Sequence, residues 1–283
     1  MKTAEKIEKV SKSELIDKQE EKSKGISYDT IGTTLQALNV QLDKGESIYS
    51  EAGKMSWMTQ NIKMETKSKG ISKALSRIIT GETLFINVFK AEVNTGVVTF
   101  STDQAGKIIP IELSKDSPEV IFQRGAFLCA EETIDLSIAI VKRLGTALFG
   151  GKGFILQKIT GHGLAHLIAD GEVVMYELKK GQEILVDQGN LVAYETSVDF
   201  DIQTVSGGMF NWVFGGEGIF LGMLRGPGKV WLQTRKTNLQ ASYTNTYQTQ
   251  NKNNPIGCIL SIFIFLLVFL CMTVSILTST IAQ

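Results

Sequence analysis

The sequence predicts an all-β body of three similar short-strand β-sandwich repeats around a pseudo-threefold axis, followed by a C-terminal transmembrane helix. Three observations predict it. A pattern of short strands and glycine turns recurs at a nearly constant offset, so that positions 119–138 return as 183–202 and 149–167 as 214–232. Runs such as IKMET, IDLSI and VDFDI alternate apolar and polar residues, the period-two signature of a half-buried strand. Finally, Ile256 to Leu277 reads IGCILSIFIFLLVFLCMTVSIL, without a charge or a proline.

The first element, residues 1–25, is a charged tail. Positions 1–24 hold seven Lys against six Asp and Glu, with no Arg and no apolar run. That composition predicts a solvated segment without a secretory signal and argues against a mitochondrial presequence.

The body follows over residues 26–240, with repeats at about 40–110, 111–178 and 179–236. FGGKGFILQKITGHGLAHL (149–167) aligns with FGGEGIFLGMLRGPGKVWL (214–232). Upstream, EVIFQRGAFLCAEETIDLSI (119–138) aligns with EILVDQGNLVAYETSVDFDI (183–202). A more divergent copy, ESIYSEAGKMSWMTQNIKMET (46–66), fits once one residue is added before Gly53, and GETLFINVFKAEVNTGVVTF (81–100) matches in outline. Gly53, Gly125 and Gly189 then share one slot. Each copy reads as two strands around that glycine, an intervening segment, and a glycine turn into a further hairpin. Gly161-His162-Gly163 and Gly226-Pro227-Gly228 occupy the same hairpin tip, where glycine supplies positive φ. Length alone suggests roughly two domains; the repeats predict one body.

Residues 241–255 are polar and aperiodic, which predicts a flexible linker. The span 256–278 then predicts a membrane helix. At about 1.5 Å per residue, the stretch from Ile256 to Leu277 covers roughly 33 Å against a bilayer core of about 30 Å. The expectation is a single-pass, C-terminally anchored protein whose body faces the cytosol, the organelle being open.

Little in the sequence points to a reaction. Lys+Arg and Asp+Glu both number 29. Outside positions 1–24, Lys and Arg number 22 and Asp and Glu 23, which disfavours nucleic acid as a partner. Glu131 and Glu195 share a slot that Thr59 fills in the first copy; this suits a repeated turn-closing role better than an acid/base pair. His162 and His166 correspond to Pro227 and Trp231, so they read as a turn residue and a strand-surface residue rather than as metal ligands. GGKG and GEGIFLG lack the spacing and the helix of phosphate-binding loops. No catalytic residue, metal or cofactor is predicted. Cys129 reads as a small buried apolar residue, and Cys258, at the cytosolic margin of the anchor, as a candidate acylation site.

Three intervening segments occupy one repeat slot: 71–81, 139–150 and 205–216. The first two read as short amphipathic helical windows. Leu75, Ile78, Leu144, Leu148, Phe210, Trp212 and Phe214 form a candidate interaction patch for the bilayer or another subunit, with a plug over the sandwich end as the alternative.

The run KGESIYSEAGKMSWMTQNIKMET, the SRIITGETLFINVF run and the FGGKGF and FGGEGIFL turns resemble the altered-inheritance-of-mitochondria-twenty-four (mitochondrial biogenesis) family over about residues 28 to 236. The resemblance implies a fold similar to that of the tryptophan RNA-binding attenuation protein, in threefold duplication. It implies no established enzymatic activity, and for mitochondrial members a role in inner-membrane organisation. The expectation is a non-enzymatic, tail-anchored scaffold or assembly factor, with the lipid bilayer and a homo-oligomer or protein as partners. A small-ligand or RNA-binding module is the alternative.

Overall fold

A computed structural model of the chain describes residues 8–9, 26–68, 85–102, 104–117, 119–142, 154–204 and 220–237. Those residues are strands and turns, apart from one 3-10 turn at Gln188–Asn190. Among them no helix is long and apolar enough to cross a membrane. The linker at 241–255 and the span predicted at 256–278 lie outside the described residues.

Two strands precede a recurring scheme: β1 (Glu8–Lys9) and β2 (Ser27–Ile31). A first group of six follows: β3 (Ala37–Leu42), β4 (Ser47–Glu51), β5 (Met55–Met58), β6 (Ile62–Ser68), β7 (Phe85–Ala91) and β8 (Gly96–Ser101). A second group is β9 (Gly106–Leu113), β10 (Val120–Gln123), β11 (Phe127–Glu131), β12 (Ile134–Lys142), β13 (Phe154–Gly161) and β14 (Gly163–Asp170). A third is β15 (Val173–Leu178), β16 (Glu183–Asp187), β17 (Leu191–Glu195), β18 (Asp199–Thr204), β19 (Phe220–Arg225) and β20 (Gly228–Gln233).

Within every group the antiparallel pairing is the same. The first strand pairs with the sixth: β3–β8, β9–β14 and β15–β20. The second pairs with the fifth: β4–β7, β10–β13 and β16–β19. The third pairs with the sixth: β5–β8, β11–β14 and β17–β20. The fourth pairs with the fifth: β6–β7, β12–β13 and β18–β19. Even a register irregularity recurs, between Met55 and Trp57, Phe127 and Cys129, and Leu191 and Ala193.

Two junctions join the groups. The second strand of one group pairs with the third strand of the next, as β4–β11 and β10–β17. The sheets therefore run across group boundaries: β6-β7-β4-β11-β14-β9 and β1-β15-β20-β17-β10-β13-β12, with β16-β19-β18 and β2-β3-β8-β5 as the other two.

Strands at the junctions are buried on both faces. VIFQ of β10 and the first four residues of FLCAE of β11 are wholly buried, so they read as continuous apolar runs rather than alternations. One core cluster gathers Tyr49, Phe122, Phe127, Ile134 and Trp231; another gathers Leu38, Ile48, Phe89, Phe100 and Leu128. Gly53 and Gly125 hold φ of 92° and 89°, which a side chain rarely adopts, and this explains glycine in their shared slot. Gly189 fills that slot differently: its N–H donates to Asp187 Oδ1 at 2.8 Å inside the 3-10 turn.

One expectation is corrected here. Residues 139–142 continue strand β12 to Lys142 rather than starting an amphipathic helical window, because the strand pairs with β13 through Lys142↔Phe154.

Candidate functional site

Chemistry-bearing side chains converge where β11 meets β14. Cys129 and His166 face each other in the ladder, with Cys129 Sγ 3.9 Å from His166 Nδ1. Strand β2 lays Tyr28 over the imidazole, ring centroids 4.7 Å apart and planes at 41°. The Tyr28 hydroxyl donates to Glu131 Oε1 at 3.1 Å. Cys129, His166 and Tyr28 are all buried.

This arrangement corrects the reading of His166 as a strand-surface residue. GLAHLIAD of β14 is buried along its middle six residues, since β9 and β11 flank it and core packs on both faces. The apolar run on either side of the histidine is the signal that could have found it. His162 lies exposed in the turn between β13 and β14. The two histidines therefore do not converge, and the described residues hold no group of three or more metal-binding side chains.

Burial decides the electrostatics. It pushes the His166 imidazole down to about 3 and the Cys129 thiol up. The Tyr28 phenol is pushed up by burial first and by the Glu131 carboxylate second. A reactive cysteine needs a thiolate and access; this thiol is protonated and enclosed. The Cys–His pair is thus an enclosed contact in which burial favours the neutral form of each group.

The slot shared by Thr59, Glu131 and Glu195 ties the end of the third strand to the start of the sixth rather than closing a local turn. Val97 N–H donates to Thr59 Oγ1 at 3.0 Å, and Lys229 N–H donates to Glu195 Oε2 at 2.9 Å. In both cases the donor stands near the start of the sixth strand. At Gly163, φ is 124° and an added Cβ would lie 2.5 Å from Glu131 Oε2, so the carboxylate packs on a glycine turn there as well. Glu195→Ala should therefore cost about 1.5–3 kcal/mol, the range for a hydrogen bond to a charged group. Glu195→Gln should recover most of it. Urea midpoints of the two variants check this.

The candidate patch residues Leu75, Ile78, Leu144, Leu148, Phe210, Trp212 and Phe214 lie outside the described residues, as does Cys258. Their segments connect the fourth and fifth strands of the three groups: β6 to β7, β12 to β13, and β18 to β19.

The described residues define an all-β protein of three six-strand groups with the same strand pairing, in which Tyr28, Cys129 and His166 form a buried contact. The family model "Mitochondrial biogenesis AIM24" matches residues 28–235, and the chain belongs to that family. An uncharacterized Streptococcus pyogenes protein is 26% identical over 236 residues, covering 79% of this chain and 92% of that protein. The Altered inheritance of mitochondria protein 24, mitochondrial, of Penicillium rubens is 22% identical over 175 residues. The match takes in 61% of this chain and 42% of the fungal protein. The Aspergillus flavus protein of the same name is 21% identical, with 40% of its length matched. The chain thus spans about two-fifths of these fungal relatives. A Streptococcus pyogenes crystal structure matches with a TM-score of 0.60 and 21% identity, covering 78% of this chain and 99% of that one. That likeness shows the fold.

Proposed function

We propose that this chain is a non-enzymatic, tail-anchored membrane protein whose β body acts as a scaffold or assembly factor. Its three groups stand as similar β-sandwich units around a pseudo-threefold axis whose ring is left open at the β16–β5 junction, unformed among the described residues, in a fold similar to that of the tryptophan RNA-binding attenuation protein. The observation that carries anchoring is the uncharged run from Ile256 to Leu277, apolar all round and therefore without a face to leave in water. Support for a non-catalytic body comes from the neutral, enclosed Cys129–His166 pair and from Glu195, whose carboxylate accepts from the Lys229 N–H. The body faces the cytosol, and the bilayer is its first partner.

Membrane extraction tests this reading. The full chain should stay with membranes through alkaline carbonate washing, and deletion of residues 256–278 should move the body to the supernatant. Protease added to intact organelles should remove the body. Release of the full chain by carbonate, or protection of the body, would overturn the reading.

A second reading, a small polar ligand at a group junction, has one observation in its favour. Gln157 Oε1 and Gln188 Nε2 are buried and without hydrogen-bond partners, beside the β10–β17 junction. Native mass spectrometry of the full chain from detergent decides it: a retained small molecule lost in Gln157→Leu supports this reading, and a bare mass removes it.

A further inference from the structure

The pairing scheme has two junctions where three equivalent ones could exist. The second strand of the first group pairs with the third strand of the second group, and likewise from the second group to the third. The remaining combination is β16 with β5. Among the described residues it is not formed, because β16 ends one sheet and β5 ends another.

The two formed junctions give the register the missing one would take. Glu131 pairs with Ile48 and Glu195 with Val120. The repeat alignment places Thr59 at the Glu131 slot and Ile184 at the Val120 slot. The register that follows is Thr59↔Ile184, Met58↔Leu185 and Trp57↔Val186. Trp57, Met58 and Leu185 are 54%, 36% and 55% exposed. Their counterparts at the formed junctions, Cys129, Ala130, Ala193, Tyr194, Tyr49 and Ile121, are all buried. Large apolar side chains thus stand in water at the positions that junction formation buries elsewhere in the same molecule. The edge strand MSWM is short and carries a register irregularity, but it has neither charge nor proline, two of the devices that guard natural sheet edges against pairing.

We propose that this open junction is filled by a second copy of the chain, β5 of one molecule pairing antiparallel with β16 of the next. The two junction edges, β5 and β16, leave each other unpaired, and each copy offers one of each. Head-to-tail pairing therefore satisfies both edges with a register that the chain already uses twice. Such a contact is heterologous, so it builds a closed ring if the rotation closes and a filament if it does not. As an account of how the body acts, it rests on the scaffold reading; the pairing itself stands on strand order and exposure.

Cross-linking tests it on the full chain in detergent, with Cys258 and Cys271 changed to Ala. Met58→Cys and Leu185→Cys are made in separate chains. Mild oxidation of the mixture should give a disulfide-linked dimer, with peptides joined through positions 58 and 185, while neither variant alone should link. A chain carrying both substitutions should give a ladder of oligomers. No mixed dimer, or a double variant that links only within one molecule, would overturn the proposal. Because both sites are exposed, Leu185→Lys should keep the thermal midpoint of the isolated chain while weakening self-association at least tenfold in sedimentation; unchanged association would also overturn it. Failure here leaves carbonate extraction unaffected, so it is distinguishable from failure of the anchoring reading.

Discussion

Phe127→Ala is expected to cost about 3–5 kcal/mol, the range for deleting a fully buried aromatic ring whose surroundings relax only in part. Phe127 is wholly buried at the start of β11. It stacks on Tyr49 with centroids 5.5 Å apart and on Phe122 at 6.2 Å. Tyr49 comes from β4 of the first group, Phe122 from β10 of the second. The Tyr49 hydroxyl also donates to the Ile134 carbonyl oxygen at 2.9 Å, so the ring stack and a buried hydrogen bond tie the two groups together. Against a total stability of about 5–15 kcal/mol, the loss is a large fraction. Phe127→Leu, which keeps most of the volume, should cost about half as much. Val93→Ala, at a side chain 63% exposed, should stay within about 0.5 kcal/mol. Urea unfolding of the three variants in detergent checks the order. A Phe127→Ala midpoint equal to that of Val93→Ala would mean that the stack does not hold the groups together.

Much of this architecture was legible because strands that do the same job share residue patterns. MSWM, FLCA and LVAY became β5, β11 and β17, all third strands, all with the same register irregularity. The first strands of the groups carry no such signal. ALNVQL, GKIIPIEL and VVMYEL share no motif, and only pairing with the sixth strand gives them equal places. Pro110 argues locally against a strand, yet β9 is a sheet edge, where a missing N–H costs no ladder bond. Burial of His166 was legible only in part: the apolar run around it marks a buried strand, but that β9 and β11 flank it on either side follows only from the pairing. The open edge of β5 was also out of reach. Its sequence resembles those of its paired counterparts, and its exposure follows only from which strands meet.

Acid is expected to weaken the body between pH 6.5 and about 3, with His166 contributing a slope that its removal abolishes. In the unfolded chain the imidazole takes up a proton near its ordinary value of 6.5; in the folded chain burial holds protonation off until about 3. Between those values the unfolded state binds the extra proton, so stability falls as pH falls, by up to about 1.4 kcal/mol per pH unit. Above pH 6.5 both states are neutral at this site, and the contribution is fully present and flat. The neighbours do not offset the effect, since burial pushes the Cys129 thiol and the Tyr28 phenol up and both stay protonated throughout the window. His166→Leu removes the titration and also the contact with the Tyr28 ring, so its stability at about pH 7.5 should drop by about 1–2 kcal/mol. The decisive quantity is therefore the slope. Carboxylates titrate in both chains and cancel in the difference between the two stability curves. Plotted from about pH 7.5 to about pH 4, the difference between the curves should change by about 3 kcal/mol, so that they cross and His166→Leu becomes the more stable chain at the acid end. Parallel curves would mean that the folded state takes up the proton as readily as the unfolded one, and would overturn the assignment of this slope to the burial of His166.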